Sequence, residues 1–530
     1  MVARRLLARG YLPKELPPLF SSVTLAGVIG AAGLPAPFTQ AKAKWTAPLQ
    51  HDLARPGGLR RRLGIPNPVN FFRLASAFEQ HQGVLAAEWN RSPYSFTKPD
   101  LALLGGRGMA REIKDRATPR IRARVGARYV LHTDIAQFYP SIYTHSVPWV
   151  LHTKAIAKAG VNNMALVGNV LDKELQACQL GQTKGVAIGP DTSLGVAELL
   201  LSPLDERIKL ECDVVGGCRF IDDIELTFRT LADADKALTR IEALLSELEL
   251  QPNALKTRIE ELPVELESKF VSELRRDLPD ATNAPPSQWV DYFNRAFSLA
   301  RADRTTGVLR YAVAALSGVR PTAKAWDAAQ RLLWQCVTID PGSIRYVVDV
   351  LAINRLVGLK VPDPLIATAA VDSVIRTSAA AGHSSEVVWS IWAAMYIGFP
   401  IGVDSQSAIT GMDDALVASA AMMASTTTTA FSQPFDPALW KSWFQKIASS
   451  KSTGSLSMRP IGEDGSLPKW QRRRSRKTRV LPFFEARELP SSWITPEPPM
   501  FRSVHFLQGA AVAAEEEVPA DENVRGGAAV

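Results

Sequence analysis

The sequence predicts an α+β chain, with strands and helices mixed through the first half and helices alone in the second. Three observations carry this. Two apolar runs, residues 213–220 and 224–228, flank the adjacent carboxylates Asp222 and Asp223 and read as the arms of a β-hairpin. A third run, Tyr129-Val-Leu-His-Thr, reads as a strand that ends in Asp134. From Trp289 to about Ser449 the pattern is helical and Ala-rich, with short breaks and no strict repeat, which suits stacked helical pairs in an α-solenoid. A length of 530 residues leaves room for two or three domains.

Taken in order, residues 1–58 read as an irregular N-terminal arm rich in Pro and Gly. Arg4 and Arg5 precede an apolar run over 19–33, the outline of a signal peptide. Pro13, Lys14, Pro17 and Pro18 interrupt that outline, so a cytoplasmic protein is expected. Residues 59–275 form the strand-and-helix domain. It opens on the basic strand Arg60-Arg-Arg-Leu-Gly-Ile, a Pro-bounded turn, and a helix from Val69 to Phe78. Residues 107–128 are rich in arginine, which suits contact with a nucleic-acid backbone. Ser146 to Ala159 and Leu231 to Leu250 read as amphipathic helices. A linker at 276–288, a helical repeat-like domain at 289–450, and a basic segment with a disordered tail at 451–530 complete the chain. Within the helical repeat-like domain the helices are expected near 323–337, 343–357, 364–380 and 386–395.

The composition, 46% hydrophobic and 22% charged, is that of a globular protein, and no stretch is apolar for long enough to span a bilayer. A net charge of +8 fits an anionic partner such as nucleic acid. Four cysteines, Cys178, Cys212, Cys218 and Cys336, lack zinc spacing and read as reduced, packed thiols. His132, His145 and His152 read as structural or surface residues. The densest basic run is Lys469-Trp-Gln-Arg-Arg-Arg-Ser-Arg-Lys-Thr-Arg, in which Arg472, Arg473 and Arg474 could hold phosphates while a base stacks on Trp470. A solvated tail is the alternative there.

The chemistry centres on Asp222 and Asp223. Two carboxylates at a tight turn between buried strands repel each other and lose hydration, which a bound cation relieves. Mg²⁺ is hard, takes oxygen ligands and leaves room for phosphates. Asp134, at the end of a neighbouring strand, supplies the further carboxylate that a two-ion site for phosphoryl transfer needs.

Four stretches then carry a resemblance. They are Asp134 with its aromatic Tyr139 five residues on, Gly185-Val-Ala-Ile-Gly-Pro-Asp-Thr-Ser193, Phe220-Ile-Asp-Asp, and Asn253-Ala-Leu-Lys256-Thr. In this order they resemble the successive palm motifs of reverse transcriptases. The wording Phe138-Tyr-Pro-Ser-Ile-Tyr-Thr-His-Ser-Val-Pro-Trp149, Gly189-Pro-Asp-Thr-Ser193 and Gly10-Tyr-Leu-Pro-Lys-Glu-Leu-Pro-Pro18 is similar to the bacterial abortive-infection and defence-associated reverse transcriptases, a group related to retron and group II intron enzymes. The resemblance covers residues 10–275. It implies a right-hand fingers and palm fold followed by a helical C-terminal domain. It also implies RNA-directed DNA synthesis from dNTPs in antiphage defence.

The same resemblance assigns roles. Asp134, Ile135, Asp222 and Asp223 would hold two Mg²⁺, with Mn²⁺ as a substitute, and Asp223 is the more structural of the acidic pair. Arg61 and Arg73 would clamp the triphosphate. Tyr139 would exclude a ribose 2′-hydroxyl. Gly189 and Ser193 belong to the stretch that approaches the nascent base pair, and Asp191 or Thr192 would cap the helix that follows. Lys256 would approach the β,γ-phosphates and protonate the leaving pyrophosphate. The expected partners are RNA, as template or as an associated small RNA, product DNA, further copies of the chain, and a companion reverse transcriptase. The chain departs from the broad pattern in one place: Ile188 stands where many reverse transcriptases have Gln. That departure keeps open untemplated or protein-primed synthesis, with Tyr11, Tyr94 or Tyr143 as the priming hydroxyl. A non-catalytic scaffold that binds RNA or protein is the reading from another class.

Overall fold

Six strands form among the described residues, all between 49 and 261. β1 (Leu49–Ala54) and β2 (Arg60–Ile65) make an antiparallel hairpin, with Leu53 opposite Arg61. β3 (Tyr129–Thr133), β4 (Gly216–Phe220), β5 (Asp223–Phe228) and β6 (Arg258–Glu261) make an antiparallel sheet in the order β4-β5-β3-β6. Helices supply the rest, so the α+β class holds. The computed structural model describes residues 2–31, 38, 44–102, 107–109, 115–358, 360–431, 433 and 437–442. The basic run with Trp470, Arg472, Arg473 and Arg474 lies outside them.

The sheet forms because its strands alternate or run apolar, and helices cover what they bury. The long helix Asp191–Glu211 packs on the helices Leu231–Glu247 and Gln82–Trp89. It buries Val196, Leu199, Leu200, Leu201 and Leu204. The helix Ala117–Arg124 lies against β4 and β5. Thr230 caps Leu231–Glu247 by accepting from the Asp233 amide at 3.1 Å. The stretch expected as one helix from Ser146 is two, Ser146–His152 and Lys154–Ala159. Thr153 between them sits at φ +69° and caps the second, a break that side-chain periodicity does not register.

The N-terminal arm is not irregular. It contains the helices Val2–Arg9 and Val23–Ala31. Ala3, Leu6 and Leu7 are buried, and the helix Val2–Arg9 packs on the helix Pro68–Gln80, whose Glu79 accepts the Val2 amide at 2.7 Å. Eight residues are too few for a helix to hold alone, so tertiary packing decides this one.

Beyond residue 285 the helices stack in two rows. Pro286–Ala302, Trp326–Ile339, Pro364–Ala380 and Val403–Thr410 follow one another in the first. Val308–Ala315, Ile344–Gly358, Ser384–Ile397 and Ala415–Thr427 follow in the second, and consecutive helices pair across the rows. Asp363 and Asp414 cap two of them through the Leu365 and Leu416 amides. Among the described residues no helix is long and apolar enough to cross a membrane.

This stack is docked on the β1–β2 hairpin. Arg60 grips Glu386 with both guanidinium nitrogens, at 2.6 and 2.9 Å. Arg310 donates to the Ala54 carbonyl at 2.8 Å while it pairs with Asp340. The Trp389 indole donates to the Glu15 carbonyl at 2.9 Å, which ties the N-terminal arm to the same helix. Bidentate, part-buried pairs of this kind outweigh solvent-exposed ones. Glu386→Gln should therefore destabilise the protein by about 1–3 kcal/mol. Thermal unfolding of both proteins checks this; an unchanged midpoint would mean that the docking does not depend on the pair.

Candidate active site

Sheet register brings the three aspartates to one end of three adjacent strands. Thr133 pairs with Ile224, so Asp134 follows the end of β3 beside Asp223 at the start of β5. Phe220 pairs with Asp223, which leaves Ile221 and Asp222 as a two-residue turn. The approach to β6 closes the group. The Asn253 amide donates to the Asp134 carbonyl at 2.7 Å, and its side chain lies 3.3 Å from Asp134 Oδ1. Lys256 Nζ lies 3.2 Å from Asp134 Oδ2. The Thr133 and Thr257 hydroxyls share a 2.8 Å hydrogen bond.

The turn itself is strained. Ile221 adopts φ +61°, which a β-branched side chain resists. Both of its backbone groups are gripped. Its amide donates to Thr97 Oγ1 at 3.0 Å, and its carbonyl accepts from Arg219 Nη1 at 2.8 Å. Arg219, fully buried, also donates to Glu198 at 3.0 and 2.9 Å and to Asp205 at 2.8 Å. The Thr97 hydroxyl donates to Glu198 at 2.6 Å, and Ser92 to Asp205 at 2.5 Å. Burial opposes ionisation of Glu198, but Arg219 and Thr97 outweigh it and hold the carboxyl below its usual range.

The carboxylates are unequal. Asp223 has cations beside it, with Arg116 at 3.3 Å and Arg120 at 3.9 Å. Burial raises Asp134, the Asp223 charge adds to this, and Lys256 and Asn253 oppose it. Asp222 is pushed up to about 7, by burial first and then by the charges of Asp134 and Asp223. Among the described residues no three acidic, imidazole or thiol side chains converge as a ready-made metal cage, and Lys256 and Arg116 supply the positive charge at Asp134 and Asp223. The donor chemistry still fits a hard divalent ion: three carboxylates share one sheet end, and each feels a neighbour's charge. Asp134, Asp222 and Asp223 would hold it. Ile135 follows Asp134 with its side chain buried.

Other expected site residues have structural partners. Arg73 forms a two-point pair with Glu174, at 3.1 and 2.8 Å. The Ser193 hydroxyl donates to the Ala187 carbonyl at 2.5 Å. Asp191 does not cap the helix Asp191–Glu211 with its side chain. Its carboxylate holds Arg107 at 2.6 Å and the Met109 amide at 2.9 Å. Gly189 has φ +127°, and a Cβ there would lie 2.5 Å from Pro13 Cγ, so the N-terminal arm covers this stretch. Tyr139 is half-buried, and its carbonyl accepts from the Val186 amide at 2.9 Å. Arg61 stays half-exposed on β2 with no ion-pair partner among the described residues. The arginines of 107–128 are largely committed to protein carboxylates, Arg120 and Arg124 both to the buried Glu225 at 3.1 and 2.9 Å. Beside them His132 is pushed down to about 3 by burial and by Arg258, Arg120 and Arg124, so it stays neutral.

Of the candidate priming tyrosines, Tyr11 is buried with its hydroxyl on the Pro66 carbonyl at 2.6 Å. Burial also raises Tyr94. Tyr143 is half-buried, packed edge-on against His145 and Trp149. Thr97, Arg219 and Glu198 were given no role by the reading from sequence, and Asn253 and Arg116 entered it only as members of a motif and of a basic stretch. The available signals were an arginine one residue before the acidic motif and a glutamate inside the apolar run Val196-Ala-Glu-Leu-Leu.

Two outcomes follow from the geometry. Asp222 binds its proton more tightly folded than unfolded, so its contribution to stability falls as pH rises from its ordinary 3.8 to about 7 and is flat above. In metal-free protein, Asp222→Asn should raise the melting temperature at pH 8 and change it little at pH 4. Mg²⁺ should raise the wild-type melting temperature at pH 8 and act less on the variant. A pH-independent difference between the two proteins would refute the assignment. Thr97→Val should cost about 1–3 kcal/mol by unpairing the Ile221 amide, as read by denaturant unfolding. No family model matches the chain, and no curated protein matches it.

Proposed function

We propose that the chain is a nucleotidyltransferase of reverse-transcriptase class that extends DNA from dNTPs on an RNA template. The observation that supports this most is the gathering of Asp134, Asp222, Asp223 and Lys256 at one end of the four-stranded sheet. Residues up to 122 apart in sequence meet there. The fingers and palm reading of residues 59–275, and the setting in antiphage defence, rest on the sequence resemblance.

In this reading Asp134, Asp222 and Asp223 would hold Mg²⁺, whose chemistry when bound would be to acidify an attacking 3′-hydroxyl and to offset charge on the leaving pyrophosphate. Asp222, which feels the Lys256 charge but forms no ion pair among the described residues, would carry the largest share of the binding. Arg116 and Arg120 hold Asp223 and fix the start of β5. Lys256, about one-third exposed, turns from Asp134 to the β,γ-phosphates and gives its proton to the leaving group. Tyr139, half-buried with its ring tilted on Phe138, would set the space left for the sugar.

A second reading keeps the chemistry and drops the template. It is favoured by Ile188, whose side chain offers no amide to a base pair and whose carbonyl is fastened to the Gly64 amide at 2.9 Å. Tyr143 is then the priming hydroxyl that the structure leaves least buried.

The deciding experiment incubates purified protein with four dNTPs and Mg²⁺ and sequences the product alongside any copurified RNA. DNA complementary to that RNA supports the first reading. Repetitive product that survives RNA removal supports the second. Asp222→Asn and Asp134→Asn should each lower incorporation by more than about 100-fold, beyond what loss of an outer-shell partner costs. Lys256→Ala should lower it by about 100-fold or more. Equal incorporation by wild type and the aspartate variants would remove both readings and leave a scaffold.

A further inference from the structure

The segment Tyr94–Phe96 extends the sheet beyond β4. Ser95 bridges Arg219 in parallel, the Arg219 amide donates to the Tyr94 carbonyl at 2.8 Å, and the Phe96 amide donates to the Arg219 carbonyl at 2.9 Å. This pairing lays the Phe96 ring on Phe220, with centroids 5.6 Å apart and planes at 29°. The Arg116 guanidinium also lies over Phe220, at 4.6 Å. Phe220 is buried, while Phe96 is 45% exposed.

The free side of Phe96 faces a cleft of about 620 Å³ between the helix Gln82–Trp89 and residues 95–102. Gln82, Asn90, Ser95 and Lys98 supply polar groups around the one exposed ring. Asp100 also lines the cleft, with its carboxylate turned to the Ala102 amide at 2.8 Å. Among the described residues no carboxylate pairs with Lys98. A flat ring on a rigid support, beside an ammonium and side-chain amides, matches an unpaired nucleotide: the base stacks, the amides meet its edge, and the lysine meets its phosphate. A volume of this size is ordinary for a small-ligand site. Phe220 is adjacent to the Ile221-Asp222 turn, so a base on Phe96 lies on the far side of the hairpin from β3 and Asp134.

We infer that the Phe96–Lys98 cleft holds an unpaired base of the nucleic-acid strand handled by the acidic hairpin. The choice of occupant rests on the polymerase reading, whereas the platform itself does not. The strand is either DNA or RNA, since both present a base and a phosphate.

The test is fluorescence anisotropy of the full chain with a short labelled single strand of mixed sequence, in DNA and RNA forms, and with an abasic strand of equal charge. Wild type should prefer the base-bearing strand, and Phe96→Ala should weaken its binding by about tenfold while leaving the abasic strand unchanged. Phe96→Trp should restore the preference. Lys98→Ala, which disturbs no ring packing, should weaken all strands and flatten the salt dependence. The DNA and RNA arms identify the strand by which loses more. Equal affinity for base-bearing and abasic strands in wild type, or a Phe96→Leu variant that binds like wild type, overturns the inference. Binding needs no turnover. A Phe96-dependent preference in a protein that makes no DNA would therefore sink the polymerase reading alone, and DNA synthesis without that preference would sink the cleft alone.

Discussion

The site depends on one buried cation. Arg219 lies between Glu198 and Asp205 on the helix Asp191–Glu211 and reaches forward to the Ile221 carbonyl. Such a group is costly to bury, and removing one partner of a buried ion pair costs about 3–5 kcal/mol. It cannot be justified by stability alone, because apolar packing would serve as well. Here it holds a turn that local preference opposes. A non-glycine residue in the left-handed region costs on the order of 1–3 kcal/mol and persists only where its surroundings impose it. Arg219 and Thr97 impose it from the two sides of Ile221. The position of Asp222 is thereby tied to a helix, to β4 and to the 92–97 segment together.

A second constraint governs the stretch from Gly185 to Asp191. It is held from three directions. The Gly185 amide donates to the Ile142 carbonyl at 2.8 Å, the Gly64 amide to the Ile188 carbonyl at 2.9 Å, and the Asp191 amide to the Gly10 carbonyl at 2.7 Å. The aromatic turn after Asp134, the β1–β2 hairpin and the N-terminal arm are thus fixed by one loop. The hairpin in turn carries the helical stack through Arg60 and Glu386. Motifs that are distant in sequence, and the C-terminal helices, become one connected body through these contacts.

Four of the six strands among the described residues, β2 to β5, were legible because short apolar or basic runs and a Phe-Ile-Asp-Asp turn are local signals; β1, inside the arm expected to be irregular, and the four-residue β6 were not. The helices after residue 285 were legible too. The expected 364–380 is Pro364–Ala380, bounded by a proline at its start and an aspartate cap. What sequence did not show was pairing. Nothing local says that Arg73 meets Glu174, that Asp191 meets Arg107, or that the 107–128 arginines serve carboxylates inside the protein. The reading of those arginines as nucleic-acid contacts came from composition, and composition cannot see partners. The helix Val2–Arg9 was missed for the same reason, since its support is the distant helix that carries Glu79.

Charge at the site is therefore divided between fixed and movable groups. Arg219 and Arg124 are buried or nearly so, with short contacts to buried carboxylates, and cannot leave without stranding a charge. Lys256 is different. It is partly exposed, meets Asp134 at 3.2 Å through a single ammonium, and sits on a flexible stem. A pair of that kind is worth about 1 kcal/mol or less. Any stronger anion at the carboxylate cluster, a triphosphate above all, can draw Lys256 away at small cost, while the arginines keep the turn in place. The same sheet end thus combines a rigid frame for the acids with one cation held by a single exposed contact, the division of labour that the proposed phosphoryl transfer would use.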